Sequence, residues 1–346
     1  MSSSKIKTRI VILSDTHGAK PKPRTAQDPD SDTELSQNHR IVMRLPTGFR
    51  HPLPEADVLI HCGDLTKRSR TEEFEATFSM LRDAPAKLKL VIAGNHDGAL
   101  DAKFWDRYAD EQSGRPGDDT MPQQAWRIIK EAEQDNVRFL DEGTHTFALD
   151  NGAVLRLYAS PWTPEYGLWG FQYDVQKGHS FDIPEGIDVV MTHGPAKGIL
   201  DLTRGHDHAG CPFLLSALEK AKPRIHCFGH IHEAWGAYLA KWGESAERGD
   251  QGAAEGVFKS ASRTIMDLDD FWPVLADDDE GYASRVQMLK KIRREGGIEI
   301  DLTALEASGA GKDQTLFLNA AVMDLGYRPV QSPWIVDIDL PQKESG

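Results

Sequence analysis

Six short apolar runs, most of them followed by histidine, aspartate or asparagine, restrict what this chain can fold into. Each run is rich in β-branched residues and is bounded by glycine or polar clusters, a pattern typical of buried strands rather than helices. The runs span residues 9–13, 57–60, 88–92, 153–158, 187–191 and 224–228. Amphipathic stretches at 71–81 and 211–220 lie between some of the runs and predict helices. Strands that alternate with helices indicate an α/β fold.

Five of the six runs are followed at their carboxyl ends by residue types that bind metal ions. In chain order these residues are Asp15 and His17, Asp64, Asn95, His96 and Asp97, His193, and finally His230 and His232. In open α/β sheets, ligands bind just beyond the carboxyl ends of the strands. Ligands two positions apart in an extended chain point to the same side, so positions 15 and 17 are predicted to converge, as are positions 230 and 232.

Each fragment by itself is weak evidence for a site. A single histidine near a strand end is usually a core or surface residue, and Gly-Asp is commonly a turn. The five fragments in this order, each at a strand terminus, together predict one metal site. Mixed imidazole and carboxylate ligands suit Mn, Fe, Co or Zn rather than Ca.

The charge and the apolar pattern exclude several classes of partner. The formal net charge is −14 and there is no long basic run, so a nucleic-acid polymer is not expected as a partner. A small anionic substrate is compatible with this charge, because bound divalent metals would reverse the local sign. No apolar run reaches the roughly 18 residues of a membrane span. The polar N-terminus lacks a signal-peptide core and three cysteines are too few for a disulfide framework, so we expect a cytoplasmic protein.

The order Asp-x-His, Gly-Asp, Gly-Asn-His-Asp, His-Gly and Gly-His-x-His over residues 15–232 resembles the signature of the calcineurin-like metallophosphoesterase superfamily. Further matches at 160–164, 169–171, 210–211 and 229–233 resemble its metallophosphoesterase-domain-containing (MPPED) branch, whose members are described as metal-dependent phosphodiesterases. The resemblance implies a β-sandwich of two mixed sheets flanked by helices. It also implies a single domain over residues 1–346, with a motif core at 9–238, closing strands at 314–340 and an insertion at about 242–313.

The resemblance further implies two divalent metal ions, and among Mn, Fe, Zn and Co we expect Mn in vitro. The first metal would be held by Asp15, His17, Asp64 and His232, and the second by Asp64, Asn95, His193 and His230. Asp64 would then bridge the two metals, and a hydroxide between them would attack the phosphorus. His96 would act as a transition-state stabiliser or general acid, oriented by a carboxylate such as Asp64 or Asp97. For Asp97 a plain loop role is equally compatible.

We expect hydrolysis of phosphodiesters, small cyclic nucleotides among them, in preference to monoesters. A monoester carries close to two negative charges and gains from an arginine fork. Arg68 and Arg70 are the only candidates for such a fork, and we expect both to face solvent. Alternatives are a phosphomonoesterase, a protein Ser/Thr phosphatase or a non-catalytic scaffold. Protein phosphatases of this superfamily carry Asp-Arg-Gly after the second motif and Glu after Asn-His, whereas this chain lacks the first and has Asp97 in place of the second. Non-catalytic scaffolds have lost metal ligands, whereas this chain keeps all seven.

Several residues outside the ligand set carry weaker expectations. His208 is a candidate substrate contact, whereas His206 fits an exposed loop better. Trp162 and Trp169 either frame a base-sized pocket or serve in packing. Cys62, Cys211 and Cys227 are expected to be buried apolar residues beside the site.

Three segments resemble insertions into the core, at residues 20–54, 106–122 and 242–313. The first is expected to form a long surface loop, and the second is rich in Gly, Asp and Pro. The third contains the acidic run 277–280 and a predicted helix at 282–295 with a narrow apolar stripe. We expect this third segment to form a peripheral cover or an oligomer contact. The sequence leaves the oligomeric state open.

Overall fold

A computed structural model describes residues 4–23, 48–113, 120–243, 257, 261–268, 279–306 and 313–343. Its larger sheet has seven strands, in the order β14 (Arg263–Asp267), β13 (Gly236–Lys241), β16 (Gln314–Asn319), β12 (Ile225–Phe228), β11 (Val189–Thr192), β8 (Val154–Ser160) and β7 (Gly143–Ala148). The second sheet has six strands, in the order β15 (Ile298–Asp301), β17 (Trp334–Pro341), β1 (Lys5–Leu13), β4 (Ala56–His61), β5 (Ala86–Val91) and β6 (Val137–Phe139). Both sheets mix parallel and antiparallel pairs.

The remaining elements are short strand pairs and helices. The pairs are β2 (Lys22–Pro23) with β3 (Arg50–His51), and β9 (Thr163–Pro164) with β10 (Gln172–Tyr173). The α-helices are α1 (Thr71–Asp83), α2 (Ala102–Ser113), α3 (Thr120–Ala132), α4 (Pro212–Ala221), α5 (Asp279–Glu295) and α6 (Leu302–Leu305). Short 3₁₀ helices span Gly98–Leu100, Glu133–Asp135 and His232–Ala234. No helix in the described part of the chain is long and apolar enough to cross a membrane.

Alternating side chains on the strands divide the core into layers. Ile10 and Ile12 of β1 pack into a core cluster that also contains Leu157 of the other sheet. Val11, between them, points the opposite way, because side chains alternate along a strand. It packs with Phe78 of α1 in a second cluster. A third cluster lies between the seven-stranded sheet and α4. The result is a sandwich of two mixed sheets flanked by helices, which confirms the expected fold.

The predicted insertions at 20–54 and 106–122 are more ordered than expected where the structure describes them. Residues 24–47 and 114–119 lie outside the described residues. Phe49 and Leu53 are buried in the second cluster, which also contains Phe78 of α1, so the end of the first segment is not a surface loop. Most of the second segment belongs to α2 and α3, because apolar side chains on both helices pack inward despite the Gly, Asp and Pro residues between them.

The segment 242–313 contributes to the core, and the expectation that it is peripheral is wrong for its described part. Strand β14 extends the seven-stranded sheet, and β15 extends the six-stranded sheet beside β17. Leu289 and Ile292 of α5, with Ile300 of β15, join the cluster between the sheets. The narrow apolar stripe of the predicted helix therefore covers core surface rather than a partner. Positions 277 and 278 of the acidic run lie outside the described residues.

Leu289→Ala is expected to lower the free energy of unfolding by about 2–5 kcal/mol, because it leaves a cavity at a side chain only 1% exposed. Gln287→Ala, at an exposed position of the same helix, should change it by less than about 0.5 kcal/mol. Urea unfolding of both variants measures the difference. Equal stabilities would show that α5 does not support the core.

Candidate metal centre

The loops after β1, β4, β5, β11 and β12 come together at the carboxyl ends of these strands. Four of the proposed ligand residues in these loops have left-handed backbone conformations: Asp15 at φ 57°, His17 at φ 47°, Asp64 at φ 52° and His230 at φ 70°. Non-glycine residues seldom adopt this conformation, and it concentrates at functional sites. We expected positions 15 and 17, and positions 230 and 232, to converge because the chain is extended there. They do converge, but the chain is not extended at these positions. Tight turns, not extended strands, aim these side chains.

One group of ligand atoms forms around His17 and His232. The His232 Nε2 atom lies 3.2 Å from Asp15 Oδ1 and 3.3 Å from His17 Nε2. The His17 Nε2 atom lies 3.6 Å from Asp64 Oδ2. The four side chains are those predicted to hold the first metal, and the structure brings all of them together.

A second group forms around His193, on the other side of Asp64. The His193 Nε2 atom lies 3.3 Å from Asp64 Oδ1 and 2.9 Å from Asn95 Oδ1. The His230 ring lies against the His193 ring, with centroids 4.9 Å apart. The four residues predicted for the second metal are thus also neighbours. The two carboxylate oxygens of Asp64 face different groups, one each.

Backbone carbonyls fix which imidazole nitrogen faces the centre. Three histidines pair Nδ1 with a carbonyl oxygen: His17 with Thr66 at 2.9 Å, His193 with Cys62 at 2.9 Å and His232 with Asp324 at 3.2 Å. A carbonyl can only accept, so Nδ1–H donates and each Nε2 presents a lone pair to the centre. In the neutral form of both rings, two lone pairs, on His17 and His232, face each other at 3.3 Å beside a carboxylate. A cation held between these atoms would be coordinated by both nitrogens, which would remove their repulsion.

The buried charges also fit divalent cations. Burial raises the pKa of Asp64, and the charges of Asp15 and Asp97 raise it further, well above its ordinary value. Burial also raises the pKa of Asp15, but the contact with His232 in its protonated form and the charges of nearby imidazoles outweigh burial and leave the pKa below its ordinary value. Two buried carboxylates this close do not both ionise readily without a compensating charge. Burial lowers the pKa of His193, which favours the neutral form that binds metals.

Two motif glycines let the backbone approach the ligands closely. A Cβ atom on Gly94 would lie 2.3 Å from Asp64 Oδ1 and 2.7 Å from His193 Cε1. A Cβ atom on Gly229 would lie 1.9 Å from Asp15 Oδ2. Only glycine fits at these two positions without displacing a ligand.

His96 lies at the edge of the first group, where a carbonyl rather than a carboxylate orients it. Its Nδ1–H donates to the Lys67 carbonyl oxygen at 2.8 Å, while Nε2 lies 4.0 Å from Asp64 Oδ2. The Trp169 ring packs against it, with centroids 4.1 Å apart. Burial lowers the pKa of His96 to about 4. The prediction that Asp64 or Asp97 orients this ring is corrected, because Lys67 holds Nδ1.

Asp97 ties together the loops that carry the ligands. Its carboxylate accepts hydrogen bonds from the backbone N–H groups of Leu65, Thr66 and Gly94, at 2.8–3.0 Å, and from the Thr66 hydroxyl at 2.7 Å. The donors Leu65 and Thr66 are the two residues that follow Asp64. Asp97 therefore positions the loop after β4 against the loop after β5, and it does not contact the ring of His96.

The structure adds three residues that the motifs do not contain. The Tyr327 ring lies 4.9 Å from the His17 ring, and the Lys67 Nζ atom lies 3.8 Å above it. The Tyr166 hydroxyl accepts a hydrogen bond from Asn95 Nδ2 at 3.0 Å. Lys67 therefore places a cation at the edge of the centre, in addition to the candidates Arg68 and Arg70. Both arginines are exposed, as expected. The place of Lys67 directly after Asp64-Leu-Thr was the one available signal.

The remaining predicted residues lie around the centre at different distances. Trp162 packs against Phe171 and His179, which is a packing role, whereas Trp169 reaches His96. The cysteines are buried and free, as expected, at positions 62, 211 and 227. His208 Nδ1 lies 2.6 Å from Asp201 Oδ1, and its half-exposed ring lines a cavity of about 540 Å³ together with His230. His206 is exposed.

The buried His226 on β12 should make the stability of the protein depend on pH. The Thr192 hydroxyl donates to the Gly194 carbonyl, so His226 Nε2–H donates to Thr192 at 2.8 Å. His226 Nδ1 then has no hydrogen-bond partner among the described residues. Burial lowers the pKa of His226 to about 3, from an ordinary value of 6.5. The folded protein thus excludes a proton that the unfolded chain takes up below pH 6.5.

The stability contributed by neutral His226 should be complete above pH 6.5 and should be lost as the pH falls toward 3. At pH 4.5 the loss is roughly 2–3 kcal/mol, since one pKa unit corresponds to about 1.4 kcal/mol. His226→Gln removes the titration, so its free energy of unfolding should fall that much less between pH 7 and pH 4.5. Urea unfolding at both pH values measures this difference. Equal falls in wild type and variant would contradict the assignment.

Comparison with known proteins agrees with this centre. The sequence model for calcineurin-like phosphoesterase matches residues 8–234. Human metallophosphoesterase domain-containing protein 1 is 33% identical over 200 residues, covering 53% of this chain and 56% of that protein. A probable rhamnogalacturonate lyase C of Emericella nidulans is 31% identical over 237 residues, covering 68% of this chain and 18% of that protein. A UPF0046 protein of Caenorhabditis elegans is 28% identical over 194 residues, covering 53% and 48%.

The matches span about half, or much less, of the length of these relatives. The human relative confirms the resemblance to the metallophosphoesterase-domain-containing branch. The family match covers more than half of the chain and contains all of the ligand positions described above. This chain belongs to the calcineurin-like phosphoesterase family.

Proposed function

We propose that this protein is a dinuclear metal-dependent phosphodiesterase that acts on small nucleotides, including cyclic ones. The observation that carries the proposal is the position of Asp64, whose Oδ2 faces His17 and whose Oδ1 faces His193. A carboxylate placed in this way can give one oxygen to each of two metals. Mn, Fe, Co and Zn all suit the surrounding imidazole, amide and carboxylate donors.

The charge of the centre supports an anionic substrate. Only Asp15 and Asp64 among the seven proposed ligands can carry a negative charge, so two divalent cations would leave the centre positive. This local charge would attract a phosphate ester even though the chain as a whole has a net charge of −14. When bound, the metals would lower the pKa of a water molecule and neutralise charge on the phosphoryl oxygens.

His96 is the proposed proton donor. Because Lys67 holds Nδ1, only Nε2 is free to face the reacting ester. A protonated Nε2 can donate to the departing ester oxygen, which would otherwise leave as an unstable alkoxide.

Lys67 favours a second candidate, a phosphomonoesterase. Its Nζ atom sits over the Tyr327 ring, which contacts His17 and His96, so a cation is available for the extra charge of a monoester. We rank this second, because lysine is a single-point donor and does not provide the bidentate contacts of an arginine fork.

Hydrolysis of bis-p-nitrophenyl phosphate and of p-nitrophenyl phosphate, with Mn added back to metal-stripped protein, separates the two candidates. We expect the higher kcat/KM for the diester, and 2′,3′- or 3′,5′-cyclic nucleotides should also be cleaved. Lys67→Met tests the cation at matched side-chain length. A higher kcat/KM for the monoester, lost in Lys67→Met, would instead establish the phosphomonoesterase.

A further inference from the structure

A cavity of about 540 Å³ opens directly beside the second metal position. Its wall includes His230, one of the proposed ligands, and Tyr166, whose hydroxyl binds Asn95. A substrate whose phosphate reaches the second metal position would therefore have this space beside it. The proposed chemistry at the metals uses none of the remaining cavity wall.

Several large apolar side chains in the cavity wall are exposed to solvent. Tyr166 is 58% exposed, Val175 49% and Phe213 43%, and all three line the cavity. They are three of the eight large hydrophobic residues that are exposed in the described part of the chain. Exposed apolar groups gathered around one cleft are typical of a ligand site.

Separate contacts hold the three aromatic rings of the cavity in place. The Phe213 ring lies against Gly178, where a Cβ atom would come within 2.6 Å of its Cζ. The Tyr173 hydroxyl donates to Cys211 Sγ at 2.7 Å. The Tyr166 ring packs near His230, with centroids 5.3 Å apart. The rings are thus positioned before any ligand enters, which lowers the entropic cost of binding.

The charges in the wall exclude a second anionic group. Glu165 and Asp207 are carboxylates, and Lys197 is the one lysine or arginine among the lining residues. A second phosphate would meet more negative than positive charge here. An uncharged, planar group would find both aromatic rings and polar side chains, including His208, in the same wall.

We propose that this cavity binds the nucleobase of a nucleotide substrate, with Phe213 as a stacking face. The proposal rests on the phosphodiesterase function proposed above, and it specifies the substrate as a phosphate ester that carries an aromatic heterocycle. Stacking on aromatic side chains contributes enough for about a tenfold effect or more per base. Because every base has a π-face, this contact selects for a base without strongly selecting which one.

The test compares two strained cyclic phosphates that differ only in the base. One is adenosine 2′,3′-cyclic phosphate, and the other is methyl ribofuranoside 2′,3′-cyclic phosphate, which has a methoxy group in place of adenine. Wild-type protein should prefer the first in kcat/KM by about tenfold or more, mainly through KM. Phe213→Ala should remove that preference and Phe213→Tyr should retain it. Trp126→Ala, at another exposed aromatic residue, should also retain it.

Saturation-transfer NMR with adenosine and metal-stripped protein tests the cavity without turnover. A signal that Phe213→Ala abolishes and Trp126→Ala keeps supports the base site even if no phosphate ester is cleaved. Hydrolysis of both cyclic phosphates with no preference, or equal adenosine signals from the two variants, overturns the base site and leaves the proposed phosphodiesterase standing.

Discussion

Asp64→Asn is expected to lower metal occupancy at both positions and to lower kcat by about 10²–10³-fold, the range for losing one electrostatic element of an active site. The two carboxylate oxygens of Asp64 face His17 and His193 separately, at 3.6 and 3.3 Å. An amide keeps the shape but removes the negative charge, and its nitrogen cannot bind a metal. One substitution should therefore weaken both groups. Metal content by plasma mass spectrometry and turnover of bis-p-nitrophenyl phosphate are the measurements.

Asp188→Asn is the matched control, because Asp188 is also a buried carboxylate and accepts a hydrogen bond from the Arg156 backbone at 3.0 Å, away from the ligands. It should keep both metals. If Asp64→Asn loses one metal and holds the other with wild-type affinity, Asp64 does not bridge.

His96→Ala is expected to lower kcat by about 10²–10⁴-fold while two metals stay bound, the effect of removing a positioned proton donor. His96, Asp64 and His17 each have a potential ligand atom within 4.8 Å of the others, so distance alone would allow His96 to bind a metal. Its Nε2 is nevertheless farther from Asp64, at 4.0 Å, than the nitrogens of His17 and His193 are. Turnover and metal content measured on the same samples separate the two roles.

His17→Ala provides the comparison for His96→Ala, since His17 is a proposed ligand whose ring centroid lies 4.8 Å from that of His96. It should lose metal and activity together. Parallel loss of metal and activity in His96→Ala would show that His96 is a ligand rather than the proton donor. A substrate with a good leaving group, such as bis-p-nitrophenyl phosphate, should be affected less than a cyclic nucleotide, because nitrophenolate leaves without a proton.

The ligand positions could be predicted from the sequence because parallel strands carry their carboxyl ends to one edge. Asp15, Asp64 and Asn95 each follow a short apolar run, and these runs became β1, β4 and β5 with small shifts at their ends. The order of the strands in the two sheets could not be obtained from the runs alone. Closing strand β17 lies beside β1 although more than 300 residues separate them in the chain.

Long-range contacts account for most of what the sequence did not reveal. The carbonyl of Asp324 fixes His232, and Tyr327 packs against His17, yet both lie some 90 residues or more beyond the last motif. No local pattern marks a backbone carbonyl as a histidine partner. The left-handed turns at Asp15 and Asp64 were equally hidden, because neither residue type requires that conformation.

Diffraction from Mn-soaked crystals at a wavelength where Mn scatters anomalously would locate the metal ions themselves. We expect two anomalous peaks about 3.5–4 Å apart, on either side of the Asp64 carboxylate. One peak should be bound by His17 and His232, and the other by Asn95 and His193. A single peak, or two peaks that do not share Asp64, would contradict the dinuclear centre.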